Sequence, residues 1–245
     1  MKFSKQSTTK TAKGEQTKAL ILNTALEMLH ERGYENTTMR AIATKAGVSL
    51  GNAYHYFGSK DQLIQEFYHR THENHLRAAM PALQQELSLK ARLLCVIRLK
   101  IDTLEPYHEI AGVLFQTAAD PRSPLNPFAP AAASVRRDSI ELFEDLVSNS
   151  KARIPNDLRA ELPYLLWLYH MGIILFWIHD SSSKRGRTYR LIDQTVDLLD
   201  KLISLASNPL MRPVRKKALR LVAELREDLT PESDGSEDDK KGGEK

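Results

Sequence analysis

The sequence predicts an all-α chain in which a small helix-turn-helix unit near the N-terminus precedes a larger helical body. Three observations point there. Apolar residues recur at helical spacing through most of the chain, beginning with Ile21, Leu22, Ala25, Met28 and Leu29, a face closed by Gly33. Strand signals are scarce, with no Asn-Gly or Asp-Gly dipeptide between β-branched runs. Two short helical segments, about 39–46 and 50–56, flank a tight turn at Gly47, which is the spacing of a helix-turn-helix.

Each element carries its own signals. Residues 1–15 are basic and polar, lack an apolar h-region, and read as a disordered arm rather than a secretory signal. Thr38 is placed to cap the second helix, and Gly47 ends it in the left-handed conformation the turn needs. Ser49 caps the third. Ser59-Lys60-Asp61-Gln62 fits a capping box opening the fourth, with Gln62 reaching back to the cap amide. Further helices are expected over about 83–104, 107–118, 131–151, 157–179, 188–206 and 213–228. Asp120 to Pro130 carries a proline every third residue and reads as an inter-helix loop, with a polyproline ligand as the other reading. Residues 230–245 lack apolar side chains beyond Pro231 and read as a disordered tail.

Composition narrows the class. A chain of 245 residues with 42% hydrophobic and 27% charged residues is long enough for a real core and has the balance of a soluble protein. The single cysteine, Cys95, excludes an internal disulfide framework, fits a reducing compartment, and reads as a small core residue. The apolar run from Leu162 to Ile178 is slightly short for a membrane span and is interrupted by Pro163, His170 and Gly172. It is expected as a helix buried on most sides, with no membrane partner. Residues 1–60 hold nine Lys/Arg against four Glu, although the whole chain is only +4. Positive charge concentrated at one end suggests a polyanion partner there.

Within the helix-turn-helix, Ile42, Ala46, Val48 and Ala53 supply the buried side, and Ala43 is small where the helices cross. The first helix, with Leu63, Ile64 and Phe67 of the fourth, covers them. That leaves Leu50, Gly51, Asn52, Tyr54 and His55 on the outer face. Two turns of helix span about 10 Å, and a DNA major groove about 12 Å wide admits such a helix.

The stretch GYENTTMRAIATKAGVSLGNAYHYFGSKDQL carries a resemblance. Gly33-Tyr34, Thr37-Thr38, Ile42-Ala43, Ala46-Gly47-Val48-Ser49, Gly51, Tyr54, Tyr56-Phe57, Ser59-Lys60 and Leu63 together resemble the DNA-binding domain of the TetR family of bacterial transcriptional regulators, over about residues 16–70. The resemblance implies a DNA-binding domain over 16–62 and a helical ligand-binding and dimerisation domain over 63–207, followed by an extra amphipathic helix over 208–229. It implies no enzyme and no cofactor, but a cytoplasmic, homodimeric, ligand-responsive repressor on a palindromic operator in double-stranded DNA. Thr38, Tyr54 and Lys60 resemble the family's phosphate contacts. Arg40, Lys45, Ser49, Leu50, Gly51, Asn52 and His55 stand where members touch bases or backbone, and Tyr56 is open between core and contact. Asn52-Ala53 departs from the Thr and larger aliphatic of many members. Asn52 therefore changes the groove-facing chemistry, for which adenine is a bidentate partner.

By position, the resemblance places the dimer on two late helices. Leu165, Leu168, Tyr169, Gly172, Ile173 and Phe176 form one stripe, and Leu191, Val196, Leu198, Leu199, Leu202 and Ile203 supply the other. Candidates for the pocket of a small hydrophobic effector are Leu104, Tyr107, His108, Leu114, Phe115, Trp167, His170, Met171 and Trp177. In the last helix Val214, Ala218, Leu221, Val222 and Leu225 form an apolar face expected to dock on the body or the dimer.

Rival chemistries are weaker. GVSLG matches no phosphate loop, and VSLGN is no nucleophile elbow. The alternative that remains is a helical metal-binding protein or enzyme built around His69, His72 and His75, which step by three along one helix. A second use of the same histidines is relay of ligand binding or pH.

Overall fold

The computed structural model describes residues 5–84 and 88–229, so the tail expected over 230–245 lies outside the described residues. Within them are ten α-helices and no strand: α1 (Lys5–Arg32), α2 (Met39–Lys45), α3 (Leu50–Tyr56), α4 (Lys60–Leu83), α5 (Leu89–Leu104), α6 (His108–Ala118), α7 (Ala133–Ser148), α8 (Asn156–Ile178), α9 (Gly186–Ala206) and α10 (Arg212–Leu229).

The first helix corrects the expected arm, since residues 5–15 are part of α1. Its Lys, Gln, Ala and Glu are good helix formers, and extending an existing helix avoids the cost of nucleation. The next three helix starts follow their caps. Thr38, Ser49 and Ser59 accept from the amides of Ala41, Asn52 and Gln62 at 3.2, 3.1 and 3.1 Å. Each such cap is worth about 1 kcal/mol. Gln62 does not reach the cap amide as expected; its Oε1 accepts from Gly58 N, one residue earlier, at 2.9 Å. Gly33 and Gly47 take φ of +76° and +68°, where other side chains are strained.

Two cores result. The first joins Ile21, Leu22, Ala25 and Leu29 of α1 to Ile42, Ala53, Leu63, Ile64 and Phe67, and closes with Ile110, Leu114 and Ala118 of α6 and Leu125. α4 therefore runs unbroken across the boundary expected at residue 62, and its first half belongs to the N-terminal head. The second core is built from α5, α7, α8 and α9 with the end of α4. Buried Arg92 ties it together, donating to the carbonyls of Leu83 at 2.6 Å and Leu146 at 3.2 Å.

α8 is long and apolar enough to cross a bilayer by length and composition, but Leu162, Leu166, Trp167, Ile173 and Trp177 bury one side of it in this core. Asp180 closes the turn to α9, accepting from the Thr188 amide at 2.9 Å and hydroxyl at 2.7 Å. Burial pushes its carboxyl up, but the hydrogen bonds from Ser182 and Thr188 outweigh this and hold it well below the usual carboxylate range. α10 docks on α8 through Arg215, whose Nε lies 3.0 Å from Asp157. Its face is rotated from the expected one: Leu219 packs toward the core and Val222 is half-buried, whereas Val214, Ala218 and Leu221 are exposed. The Leu225 side chain lies outside the described residues. Cys95 is half-buried, not fully so.

Candidate nucleic-acid interface and effector cavity

α3 stands at the end of the head with Ala53 turned into the core and Gly51, Tyr54 and His55 exposed beside half-buried Leu50 and Asn52. Thr38, Arg40 and Lys45 of the neighbouring segment, and Ser49, are exposed next to it. Lys45 pairs loosely with Glu31 at 2.9 Å and Glu27 at 3.6 Å. Such a solvent-facing pair is worth little and exchanges readily for a phosphate. Tyr56 is half-buried against the head core, and its hydroxyl lies close to Gly14 of α1.

Lys60 is engaged differently from the expectation. Its ammonium donates to the carbonyls of Thr37, at 2.9 Å, and Tyr34, and lies 3.6 Å from the centre of the Tyr34 ring. Burial pushes this amine down from its ordinary value, with Glu35 and Asp61 opposing. The Tyr34 hydroxyl in turn donates to Asp61. Lys60 thus holds the α1–α2 turn from the first residue of α4.

Between head and body lies a cavity of about 600 Å³. Of the nine expected pocket residues, Leu104, Tyr107, Leu114, Phe115, Trp167, His170, Met171 and Trp177 line it. His108 does not. It binds the Trp177 carbonyl at 2.8 Å and packs edge-on to that indole, behind the wall. Trp177 Nε1 donates to Glu105 at 2.9 Å, which fixes the indole. The proline-rich loop is a cavity wall: Leu125 is buried in the head core and Phe128 meets Trp167 edge-on at 5.4 Å. Sequence reasoning missed Phe67, Tyr68, Thr71, His72, Lys100, Leu125 and Ser139, all of which line the cavity. Lys100 carried a signal, because it continues the buried stripe Leu93, Val96, Ile97, Ile101.

The three histidines of α4 are not brought together, and among the described residues no group of three or more His, Cys, Asp or Glu is arranged to hold a metal. His69 is exposed beside Glu73. His72 faces the cavity, its Nδ1 3.4 Å from the Ser139 hydroxyl. His75 is buried, its Nε2 2.9 Å from the Val96 carbonyl. Residues three apart on a helix turn by about 60°, so the three side chains fan from solvent to core. Burial pushes His72 down to about 4 and His75 to about 3, with Lys100 adding to both shifts.

The expected dimer stripes divide. Gly172, Phe176, Leu198 and Leu202 are exposed, and Leu165, Leu168, Tyr169, Leu191 and Leu199 are half-buried. Ile173, Val196 and Ile203 are instead buried in the chain's own core, because they lie on the faces of α8 and α9 turned inward. Leu175 and Leu205, not anticipated, extend the exposed apolar surface.

An exposed short helix on a helix-turn-helix head, joined to a helical body with a ligand-sized cavity, defines the architecture of a one-component transcription regulator. Comparison gives the family. Residues 92–225 match the tetracyclin repressor-like C-terminal domain, and residues 21–67 match the tetR family of bacterial regulatory proteins. The chain belongs to the tetR family, whose members are transcription factors and not enzymes.

It is 35% identical over 104 residues to the HTH-type transcriptional regulator BetI of Agrobacterium fabrum (strain C58 / ATCC 33970), covering 42% of this chain and 50% of BetI. The chain therefore spans about half the length of that curated relative. A TetR transcriptional regulator from Nitrosomonas europaea ATCC 19718 superposes over 74% of this chain and 96% of its own, with a TM-score of 0.59 and 20% identity. AibR, solved in complex with isovaleryl coenzyme A and operator DNA, superposes over 74% and 97%, with a TM-score of 0.51 and 19% identity. At these identities the likeness is one of fold.

Proposed function

We propose that this protein is a cytoplasmic, ligand-responsive transcriptional repressor, acting as a homodimer on a palindromic operator in double-stranded DNA. The observation that carries the reading is the shared wall: α4 and α6 line the cavity and also complete the core that positions α3. An occupant of the cavity that prefers one arrangement of α4 and α6 shifts the population of head positions, and with it the fit to DNA. AibR, of the same fold, is described with an acyl-coenzyme A and operator DNA together, which supports a head and a cavity working in one molecule.

In this reading Thr38, Arg40, Lys45, Ser49 and Tyr54 hold phosphates, while Leu50, Gly51, Asn52 and His55 meet the groove. Tyr56 buttresses α3 from behind. Lys60 acts through the turn it holds and makes no direct phosphate contact. Phe176, Leu198 and Leu202 join the two copies, and a small, largely hydrophobic effector fills the cavity.

The test is selection of bound DNA from a random pool by the purified full chain. A palindrome with half-sites about one helical turn, 34–36 Å, apart is expected. Enrichment of no sequence, or of a single unrepeated site, overturns the reading.

A further inference from the structure

Lys100 is a buried cation without a counter-ion. It lies on the apolar face of α5 and lines the cavity at 8% exposure. Among the described residues no carboxylate or carbonyl oxygen accepts from its ammonium, whereas buried Arg92 is satisfied by main-chain carbonyls. The acid on the cavity wall, Glu66, is already paired with Lys18 at 2.5 Å. Burial alone pushes Lys100 down, to about 8, so it is still mostly protonated at neutral pH.

Two imidazoles share this end of the cavity. Both ring nitrogens of His170 and the Nε2 of His72 are buried without partners, and His170 is only 5% exposed. Burial first, and the Lys100 charge after it, push both rings down and hold them neutral. A neutral imidazole still has one N–H to donate.

Buried imidazole N–H groups without partners and an ammonium facing a cavity without a counter-ion are expensive, and an anion that accepts from them offsets the cost. A cation is repelled, and a neutral oxygen, although it can accept from the ammonium as the carbonyls of Leu83 and Leu146 do from Arg92, leaves the charge unbalanced. One ammonium with neutral donors balances a single negative charge. The wall's other cation, Arg136, already donates to the carbonyls of Pro127 and Ala129, and much of the rest, including Trp167, Trp177 and Met171, is apolar.

From this juxtaposition we infer that the effector is an amphipathic monocarboxylate, its carboxylate bound by Lys100 with His170 and His72 and its apolar body lying along Trp167 and Trp177. The inference rests on the cavity being the effector site proposed above.

The chain's two tryptophans both line the cavity, so tryptophan fluorescence, excited apart from the tyrosines, reports on occupancy there. Binding to the full chain is measured for decanoate against decanol and for 4-phenylbutyrate against 4-phenylbutanol. Each acid is expected to bind at least about tenfold more tightly than its alcohol, the size of a charge-assisted hydrogen bond. Lys100→Met should abolish that preference, bringing the affinities of acid and alcohol together, and Lys100→Arg should retain it. Equal affinity for acid and alcohol in the unmodified chain, or undiminished acid preference in Lys100→Met, overturns the inference, and the first comparison needs no variant to fold. The selected operator separates the two readings. If DNA binds but acids do not outbind alcohols, the carboxylate fails and the regulator stands. If no DNA is selected, the regulator fails while fluorescence still decides the head-group chemistry.

Discussion

The rings of Phe67 and Tyr107 meet edge to face with their centroids 4.8 Å apart. Phe67 is 4% exposed on α4, in the core beneath α2 and α3. Tyr107 precedes α6, whose Ile110 and Leu114 close the same core. Both rings also line the cavity. The contact therefore ties the occupant's wall to the head by a single layer of side chains, and coupling between sites needs such a shared element with two arrangements.

Tyr107→Ala tests the tie without any ligand. An edge-to-face pair is worth about 0.5–1.5 kcal/mol beyond its buried area. The variant should lose at least that much from the head, the ring's buried area adding to it, with amide hydrogen exchange quickening together in α6 and the first half of α4. Exchange in α9, which belongs to the other core, should stay as in the unmodified chain. Faster exchange in α6 alone would show that the ring pair does not couple the two elements.

Lys45, Lys60 and Tyr54 should respond in three different ways. Lys45→Ala removes an exposed cation and should lower the slope of log affinity against log salt by about one. Tyr54→Ala removes a neutral contact from a side chain 50% exposed. Binding should weaken by a similar factor on every sequence, with salt slope and melting temperature unchanged. Lys60→Met strands the carbonyls of Tyr34 and Thr37, and should cost about 1–3 kcal/mol of stability. Its salt slope should match that of the unmodified chain. A reduced slope in Lys60→Met would put its ammonium on a phosphate after all.

Acid should unfold the protein through its buried histidines, His72 and His75 of α4 and His170 of α8, which burial also holds well below its ordinary value. His72 is held near 4 and His75 near 3, below the ordinary 6.5. The groups acting on His72 are Lys100, Asp138, His69 and Glu73; those on His75 are Lys100, His72 and the Val96 carbonyl, with His170 stacked on it. Below pH 6.5 the unfolded chain takes up protons that the folded chain refuses. The histidine contribution is therefore fully present above pH 6.5 and is lost as pH drops toward 4, by a few kcal/mol in order of magnitude. Urea midpoints between pH 7 and 4 check this, and His72→Gln should flatten the fall. Asp180, held low instead, contributes stability that is present throughout this window and is lost only as pH falls below the ordinary carboxylate range. A midpoint independent of pH over this window would show the histidines to be ordinary.

What the sequence revealed and what it hid divide along a physical line. Thr38, Gly47, Ser49 and Ser59 were legible because caps and left-handed turns are set by a few neighbouring residues. Eight of nine expected cavity residues lie on the cavity because aromatic side chains in the middle helices have few other places to go. Phe128 and Leu125 were missed because a loop's role as a wall depends on where distant helices leave a gap. Ile173, Val196 and Ile203 were misassigned for a related reason. α8 is apolar on nearly every side, and periodicity alone does not say which apolar face the chain's own helices cover.

That division gives a sharp test of the two-fold interface. Leu202 is 49% exposed on α9 and Ile203, its neighbour, 7%. In an isologous two-fold interface every contact is made twice, so one change acts twice. Leu202→Glu should leave the monomer folded, with stability within about 0.5 kcal/mol, as for other surface changes. It should weaken self-association about a hundredfold or more, since carboxylates are desolvated and opposed in the interface. Binding to a full palindrome should fall to that of a half-site. Ile203→Glu should instead fail to fold, because the carboxylate enters the core that holds Ile192 and Val196. Light scattering across a protein concentration series, with circular dichroism on both variants, separates the outcomes. A Leu202→Glu chain that remains dimeric would remove this face of α8 and α9 as the interface and leave the apolar surface at Leu175, Phe176 and Leu205 without an assigned partner.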